Sequence, residues 1–554
     1  MHPPHPAILT IDILDEIFSH LRCLEADDRE NRRALFSAAR VCTAFCEPAI
    51  KSLWWALPGL EPALKLLAIF SLVQRDAALQ YLQKSSYFIG VIGQPGGADI
   101  TSENWSRFLQ YTIHTRIIHE GPLTHSTNPA VYVYLSHKNN GRPIFPHLQD
   151  LAWFSDTPDH LGLRLFTSPG LRKLQIIIGR GDRPMPAMQP GTIPSEAPPS
   201  ASDTLLQTTL PHLTGLLELQ YRTLSYMSPP REVQTWACIA QMRQLRVLRL
   251  DECCAITDPH HLRGLASLPN LVGLQIAVAM DRPASAGIRG FPALQKLGLS
   301  ITGMIDPGPA LLSTFTSPEL HTLVLAYRRA FQDAIPDSLN IVANSFPRIR
   351  SLTVKVHSGV NVAAAIPRTF DAVFGQLTQQ CTLMEKFVID THRGLIICQG
   401  GDTELEVLAA SWPRLRVLSL LATISGPITH RSLVALARHC LELRTLHLRN
   451  VSFCGLTNCE AIQPSQHQLQ VLGICGASYA ASPRCSARFL RHLFPRLQVP
   501  EDCWTCPSCG RFQDHDTCAR ATNAILAIYG IRRRRPDNGG GPLASASAPQ
   551  WLLG

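Results

Sequence analysis

The residues whose types and spacing could do chemistry lie near the C-terminus, in the stretch CWTCPSCGRFQDHDTC. It contains Cys503, Cys506, Cys509 and Cys518 with His515 close by, and the first three cysteines follow a C-x-x-C spacing. Four thiolates, or three thiolates and one imidazole, complete a tetrahedral zinc site. Free thiols that bind no metal are the alternative and remain the expectation, so the chain is predicted to need no cofactor.

The rest of the sequence lacks the arrangements through which enzymes commonly activate a substrate. Its 21 histidines form no H-x-x-x-H or H-E-x-x-H pair of the metalloprotease kind. Glycine-rich pieces such as GQPGG (93–97) and NGGG (538–541) lack the spacing that cradles a phosphate. The prediction is a protein without catalytic residues, and an enzyme with an unrecognised site stays as an alternative.

Along the chain, a motif of the form L-x-x-L-x-[LIV] recurs at intervals of mostly about 23 to 35 residues, close to the period of leucine-rich repeats. Each copy predicts a short strand whose alternating leucines point inward, and stacked copies bury one another's apolar faces. The copies are LRKLQI (171–176), LRVLRL (245–250), LVGLQI (271–276), LQKLGL (294–299), LHTLVL (320–325), IRSLTV (349–354), MEKFVI (384–389), LRVLSL (415–420), LRTLHL (443–448) and LQVLGI (469–474), with divergent copies at 145–151 and 213–219. The predicted fold class is α/β: an irregular leucine-rich-repeat solenoid with a parallel sheet on the concave face and helices or loops outside. An unrelated α/β fold with leucine-rich strands is the alternative.

Composition and charge narrow the function classes. The 554 residues are 45% hydrophobic and 17% charged, as expected for many short buried pieces and unlike a disordered chain. The formal charge of +9 is thinly spread, and the dense basic run is Arg532–Arg535, so neither nucleic acid nor membrane is expected as a partner. The opening residues do not resemble a signal peptide. The 17 cysteines are then expected to be reduced, in the cytosol or nucleus.

The N-terminal segment, 5–58, predicts three amphipathic helices with more apolar surface than so short a segment can cover. Their pattern resembles the F-box, Leu-Pro-x-Glu-Ile-Leu-x-x-Ile-Phe-x-x-Leu, then Val-Cys-Arg-x-Trp, then Leu-Trp. Thr10, Asp12 and Phe45 depart from it, at the Pro, Glu and Trp places. The residues assigned to the pattern, with Phe45 at the Trp place, are Leu9, Ile13, Leu14, Ile17, Phe18, Leu21, Val41, Cys42, Phe45, Leu53 and Trp54.

The resemblance extends to mushroom-type fungal F-box proteins over about residues 5 to 155, through the segments LEPALKLLAIF and ITSENWSRFLQYTIHTRIIHE. In that family the F-box binds a Skp-type adaptor, which connects it to a cullin. The resemblance therefore implies that the matching residues bind the adaptor and that the chain is the substrate-recognition subunit of an SCF-type ubiquitin ligase. A repeat-based interaction scaffold, whose N-terminal helices only cap the solenoid, is the alternative. The substrate-binding residues are not predicted.

The domains expected from these patterns follow one another along the chain. The F-box helices occupy 5–58, a helical connector 59–140 and the solenoid 141–500, which includes a disordered Pro-rich loop at 183–202. A cysteine-containing cap is expected at 501–530 and a disordered basic tail at 531–554.

Overall fold

A computed structural model shows the architecture of the chain. It describes residues 10–22, 28–67, 100–119, 129–155, 161–178, 207–223, 236–250, 255–280, 289–302, 308–329, 334–358, 368–391, 396–421, 423–454, 456, 466–475 and 483–497. The chain divides into two compact units, Met1–Ala365 with Asp371–Leu383, and Ile366–Phe370 with Met384–Gly554. Among the described residues, no helix combines the length and the apolar character that crossing a bilayer requires.

The first unit begins with three short helices, which we call the helical bundle. They are α1 (Ile11–Ser19), α2 (Arg29–Ala38) and α3 (Thr43–Leu53). The three sequence-predicted amphipathic segments thus form helices, because each has an apolar stripe that the other two can cover. The buried centre of the bundle consists of Leu14, Phe18, Leu35 and Ala49.

Ten parallel strands follow in the described part of the first unit, and each one pairs with the next in chain order. Strictly sequential parallel pairing is the arrangement that a leucine-rich-repeat solenoid requires. The strands are β1 (Ala56–Leu57), β2 (Ile117–His119), β3 (Asp150–Ser155), β4 (Lys173–Ile178), β5 (Glu218–Thr223), β6 (Val247–Leu250), β7 (Gly273–Val278), β8 (Lys296–Ile301), β9 (Thr322–Arg329) and β10 (Ser351–Ser358).

The leucine at the fourth motif position sets the register of this sheet. Leu274 pairs with Leu297, Leu297 with Leu323, and Leu323 with Leu352, so the same side chain stacks from strand to strand. All four are at most 2% exposed. We call this row the leucine ladder. It confirms the sequence prediction that the motif leucines are buried side by side.

Helices of the first unit follow or precede these strands and cover them. In one example the buried Tyr327 of β9 donates its hydroxyl hydrogen bond to the buried Ser338, with 2.8 Å between the oxygens. The helices are α4 (Glu61–Leu64), α5 (Ser102–Thr112), α6 (Pro129–Lys138), α7 (Leu161–Arg164), α8 (Trp236–Ala240), α9 (Pro259–Ala266), α10 (Gly308–Leu312), α11 (Ala334–Ser345) and α12 (Gln376–Gln380). Single turns of 3-10 and π-helix lie at Leu210–His212 and Asp371–Gly375.

The second unit repeats the same plan. Its main parallel strands, in chain order, are β12 (Lys386–Thr391), β14 (Val417–Leu420), β17 (Thr445–Arg449) and β19 (Val471–Cys475), and Phe387, Leu418, Leu446 and Leu472 form its ladder. Shorter parallel strands pair separately: β11 (Arg368–Thr369), β13 (Ile396–Gln399) and β15 (Thr423–Ile424), and β16 (Ile428–Thr429) with β18 (Val451–Ser452). Its helices are α13 (Asp402–Ser411), α14 (His430–His439) and α15 (Pro483–Leu493).

All the motif copies therefore form strands, and the predicted leucine-rich-repeat fold is confirmed within each unit. The sheet also includes strands that lie before residue 141. β1 follows the helical bundle directly, and β2 falls inside the region 59–140, which the sequence predicts to be a helical connector. Both are too short to carry the complete motif. The predicted Pro-rich loop at 183–202, the cysteine-containing cap and the basic tail lie outside the described residues.

Candidate functional site

The helical bundle is held together by a small apolar centre. Phe18 of α1 and Phe45 of α3 meet edge to face, with ring centroids 5.6 Å apart and planes at 77°, a favoured aromatic geometry. An ion pair between Lys51 and Asp15 joins α3 to α1 at its edge. Packing therefore fixes how the three helices are arranged. Partly buried side chains complete this centre: Leu21, Ala38, Ala39, Ala44, Phe45 and Leu53.

The surface of the bundle carries large apolar side chains that the bundle does not cover. In the described part of the chain ten large hydrophobic side chains are exposed, and half of them lie between residues 11 and 41. We call these five the apolar patch: Ile11, Ile13, Ile17, Phe36 and Val41, which are 42–69% exposed. Full burial of such a side chain stabilises by roughly 1.5–3 kcal/mol. Exposed apolar surface of this kind is typical of sites that bind a protein, a membrane or a ligand.

The sequence of α1 explains why both sides are apolar. Leu14 and Phe18 are four residues apart and face inward, while Ile13 and Ile17 are also four residues apart and lie on the adjoining face. Residues at this spacing lie one above the other along a helix. The two apolar rows of α1 together are wider than the surface that the short helices α2 and α3 can cover. One row is therefore buried and the other is left exposed.

The bundle is attached to the first strands of the sheet by polar and aromatic contacts. Arg32 of α2 donates a hydrogen bond to the carbonyl oxygen of Ala56 in β1, at 3.3 Å. Trp54, at the end of α3, stacks on Tyr111 of α5 with ring centroids 5.0 Å apart and planes at 19°. The helical bundle therefore packs on the beginning of the sheet, and the ring of Trp54 is covered by a contact within the first unit.

A basic cluster surrounds the neighbouring Trp55. The guanidinium carbons of Arg22 and Arg116 lie 3.9 Å and 5.4 Å from the centroid of its ring, as cation–π contacts. Burial and the charge of Arg22 lower the pKa of Arg116, and burial together with Arg116 and Lys51 lowers the pKa of His114. His114 therefore favours its neutral form, and the arginines supply the positive charge at the junction between bundle and sheet.

The structure divides the residues predicted to bind an adaptor. Ile13, Ile17, Val41 and Cys42 are exposed, as a binding role requires. Leu14 and Phe18, which were also predicted to touch a partner, are buried in the bundle, where they position α1. Leu21, Phe45 and Leu53 pack against that same centre, Trp54 packs on Tyr111, and Leu9 lies outside the described residues.

Two exposed residues of the apolar patch were missed by the sequence pattern. Ile11 is 60% and Phe36 57% exposed, and neither is a position at which the family pattern was matched. Phe36 stands beside the inward-facing Leu35, and the guanidinium of Arg40 lies 5.7 Å above its ring. A large aromatic residue next to a buried leucine in a polar helix was the available signal.

The predicted cysteine cluster lies outside the described residues, as does His515. Within the described ranges, no three His, Cys, Asp or Glu side chains are grouped so that they could hold a metal ion. Three described thiols are deeply buried, and burial raises the pKa of Cys381, Cys398 and Cys440 to about 12. They are therefore protonated core side chains at neutral pH.

Comparison with known proteins identifies no family for this chain. No family model matches the chain, and no curated protein sequence matches it. Solved structures similar to it include an internalin from Listeria monocytogenes, with 15% identity over 62% of this chain and 84% of that one, at a TM-score of 0.33. A leucine-rich-repeat protein from Leptospira interrogans has 13% identity, 72% and 86% coverage and a TM-score of 0.34. The yeast Rad7 and Elc1 complex has 14% identity, 67% and 81% coverage and a TM-score of 0.34. Because these scores are low, strand order and register define the leucine-rich-repeat fold of this chain.

Proposed function

We propose that this protein is the substrate-recognition subunit of an SCF-type ubiquitin ligase. The helical bundle binds a Skp-type adaptor, the adaptor binds a cullin, and the repeats hold a target protein. The observation that carries this proposal is the apolar patch on the outer side of a bundle whose sequence resembles the F-box. The location that goes with it is the cytosol or nucleus, where the thiols stay reduced.

The patch favours this function over a structural cap. A helix that only closes the end of a solenoid needs a polar outer face, because its task is to separate the apolar interior from water. Here Ile13, Ile17, Phe36 and Val41 point outward and are between 42% and 69% exposed. A protein partner that covers them removes this apolar surface from water, and a cap has no use for it.

The buried and exposed rows of α1 then have separate tasks. Leu14 and Phe18 fix the position of the helix, and Ile13 and Ile17 supply contact area to the adaptor. Interface anchors of this size typically lose about 2 kcal/mol or more of binding free energy when they are truncated. Phe36 adds a rigid aromatic anchor, of the type that is enriched at interfaces.

The protein acts without catalytic residues of its own in this proposal. Its repeats and its bundle hold the target near the ligase scaffold, so that ubiquitin transfer is accelerated by proximity. Because the repeats contact mainly their neighbours, the target site and the adaptor site can be disrupted independently. That separation gives the proposal a clear test.

The test is co-purification of the full chain with a Skp-type adaptor and cullin, using the double variant Ile13→Asp with Ile17→Asp. A matched control is Ile113→Asp with Val133→Asp, because these side chains are 42% and 49% exposed, the same fractions as Ile13 and Ile17. We expect the first variant to lose both partners and the control to keep them, since a charge buried without a partner is costly.

Two results would overturn the proposal. One is equal recovery of adaptor and cullin with the Ile13/Ile17 variant and the wild-type chain. The other is that the wild-type chain binds neither partner, which would leave an interaction scaffold outside the ligase. Circular dichroism of both variants shows whether the helices remain folded.

A further inference from the structure

The positive charge of the chain is more concentrated than its thin overall spread indicates. The segment 428–497 contains eight arginines, no lysine, no aspartate and two glutamates, a net charge of +6 out of +9 for the whole chain. One of the two glutamates, Glu442, is already paired with Arg416, with 2.9 Å between Nε and Oε2. An excess of this size within one segment attracts an anionic partner.

Part of this charge lies in a row on the outer face of α14. Arg431, Val434 and Arg438 are spaced three and four residues apart, and all three are exposed. Leu441, in the turn after the helix, is 65% exposed. We call these four residues the α14 stripe. The stripe faces solvent, because the opposite face of the helix is buried through Leu433, Leu436 and Ala437.

The repeat fold does not require this stripe. Val417 of β14 pairs with Thr445 of β17. The same difference in residue number separates Gly401 and Thr429, the residues that cap α13 and α14. A different set of side chains serves the same position in the same kind of repeat. The fold therefore does not dictate the two arginines and two aliphatic residues of the α14 stripe. The residues that correspond to the stripe in the preceding repeat are Thr403, Glu406, Ala410 and Pro413.

The next helix packs near the start of α14 and carries further exposed basic residues. Phe489 of α15 contacts His430 at the start of α14, with ring centroids 5.9 Å apart. Arginine is suited to carboxylates, because its planar fork of N–H donors binds both oxygens. The exposed positions of α15 and of the turn that follows it include four basic residues: Arg488, Arg491, His492 and Arg496.

We propose that the α14 stripe and the exposed arginines of α15 bind an acidic segment of a target protein. Carboxylates of that segment pair with Arg431, Arg438 and Arg488, and its aliphatic side chains cover Val434 and Leu441. The inference deepens the proposed function because it names the chemical class of the substrate. It rests on the proposed function only for what happens to the target after it has bound. Binding of the segment does not depend on the adaptor.

The composition of the surface favours a protein over a nucleic acid. Single-stranded nucleic acids are held by aromatic side chains on which bases stack. The phenylalanines described in this region, Phe453, Phe489 and Phe494, are buried. Exposed leucine and valine between arginines complement instead an acidic segment with aliphatic residues. An anionic bilayer needs a broad apolar helix face, and the apolar face of α14 is turned into the core.

The experiment measures binding of the full chain to a fluorescein-labelled acidic peptide made of Glu, Ala and Leu, by fluorescence anisotropy. We expect saturable binding that weakens by about tenfold or more in the variant Arg431→Glu with Arg438→Glu, and by a smaller factor in Arg431→Gln with Arg438→Gln. The matched control, Arg243→Glu with Arg246→Glu, changes the net charge equally at two exposed arginines of the first unit and is expected to bind normally.

The apolar part of the inference has its own test. Leu441→Ala is expected to weaken binding of the Leu-containing peptide several-fold and to leave binding of a Glu/Ala peptide unchanged. Equal loss of affinity in the Arg243/Arg246 control would overturn the inference, because binding would then follow net charge alone. So would a chain that binds single-stranded DNA or phosphatidylserine vesicles through Arg431 and Arg438 and does not bind the peptide.

Failure of this inference is distinguishable from failure of the proposed function. The Arg431/Arg438 variant is expected to co-purify with adaptor and cullin, whereas the Ile13/Ile17 variant loses them and still binds the peptide. A chain that binds the peptide through the stripe but never binds an adaptor supports the inference and removes the ligase. A chain that binds the adaptor but no peptide does the reverse.

Discussion

The leucine ladder makes a quantitative prediction about how neighbouring strands share their stability. Leu297 of β8 lies between Leu274 and Leu323 in register, and it is 1% exposed. Leu297→Ala removes a buried side chain and leaves a cavity, so it should lower the free energy of unfolding by about 2–5 kcal/mol. Leu323→Ala should cost a similar amount. Lys296→Ala, at an exposed position of the same strand, should change it by no more than about 0.5 kcal/mol.

The pairwise comparison tests the register itself. Leu297 and Leu323 are on adjacent strands, about 4.8 Å apart, so their cavities join and the double variant should depart from the sum of the singles by about 0.5–3 kcal/mol. Leu297 and Leu219 are separated by β6 and β7, at about three times that distance, and share no neighbour in the ladder, so their effects should add to within about 0.5 kcal/mol.

The assay is urea unfolding of the full chain followed by circular dichroism, with the single and double variants measured in parallel. The free energies come from the midpoints and slopes of the transitions. Equal additivity of the neighbouring and the separated pair would refute the ladder, because the register then would not bring Leu297 and Leu323 together. A loss of stability in Lys296→Ala as large as in Leu297→Ala would also refute it.

Three further predictions concern titratable groups. Burial raises the pKa of Asp402, but hydrogen bonds from Ser432 and Thr429 outweigh burial and leave it below its ordinary value. The stabilisation that these hydrogen bonds give to the folded chain is present above the unfolded-state pKa of about 3.9 and is lost as pH falls through the lower folded-state pKa. The urea midpoints of Asp402→Asn should lack this part of the pH dependence. Burial lowers the pKa of His467 more than its hydrogen bond to the Cys440 carbonyl raises it. The stability of the folded chain should therefore fall as pH drops below about 6.5, and His467→Gln should abolish this fall. A wild-type stability that does not change with pH in this range would contradict the prediction. Iodoacetamide at mildly alkaline pH should label the exposed Cys42 and Cys454 in the folded chain and should label Cys440 only after unfolding, as mass spectrometry can show.

Periodicity predicted the repeats because their signal is redundant. Each motif copy places leucines at alternate positions of a strand and is repeated many times, so one weak hexapeptide such as MEKFVI gains support from the others. β1 and β2 were missed because they are only two and three residues long and contribute Leu57 and Ile118 to the ladder without the rest of the motif. The small strands β13 and β16 were missed for the same reason: they are short and lie between motifs.

The candidate site was predicted only in part because a sequence pattern does not separate buried from exposed apolar residues. Ile13, Leu14, Ile17 and Phe18 all match the family pattern, but only packing decides which pair faces inward. Trp54 looks like a surface anchor in sequence, and its stacking partner Tyr111 lies far along the chain, in α5. Long-range contacts of this kind carry no local signal.

The same distinction changes which variants are informative. Replacing Phe18 by Asp would place a charge inside the bundle and unfold it, so loss of adaptor binding in that variant says nothing about contact with the adaptor. Ile13 and Ile17 are exposed, and their replacement leaves the centre of the bundle intact. They are therefore the positions at which binding and folding can be separated.

Binding of a Skp-type adaptor to the helical bundle is the step on which the proposed function depends. Its most direct test is hydrogen–deuterium exchange of the full chain with and without purified adaptor, measured peptide by peptide. The expected result is slower exchange at α1 and around Phe36 to Val41 when adaptor is added, with unchanged exchange at α14 and α15. Unchanged exchange throughout the bundle at saturating adaptor, or protection confined to the repeats, would contradict binding at the bundle.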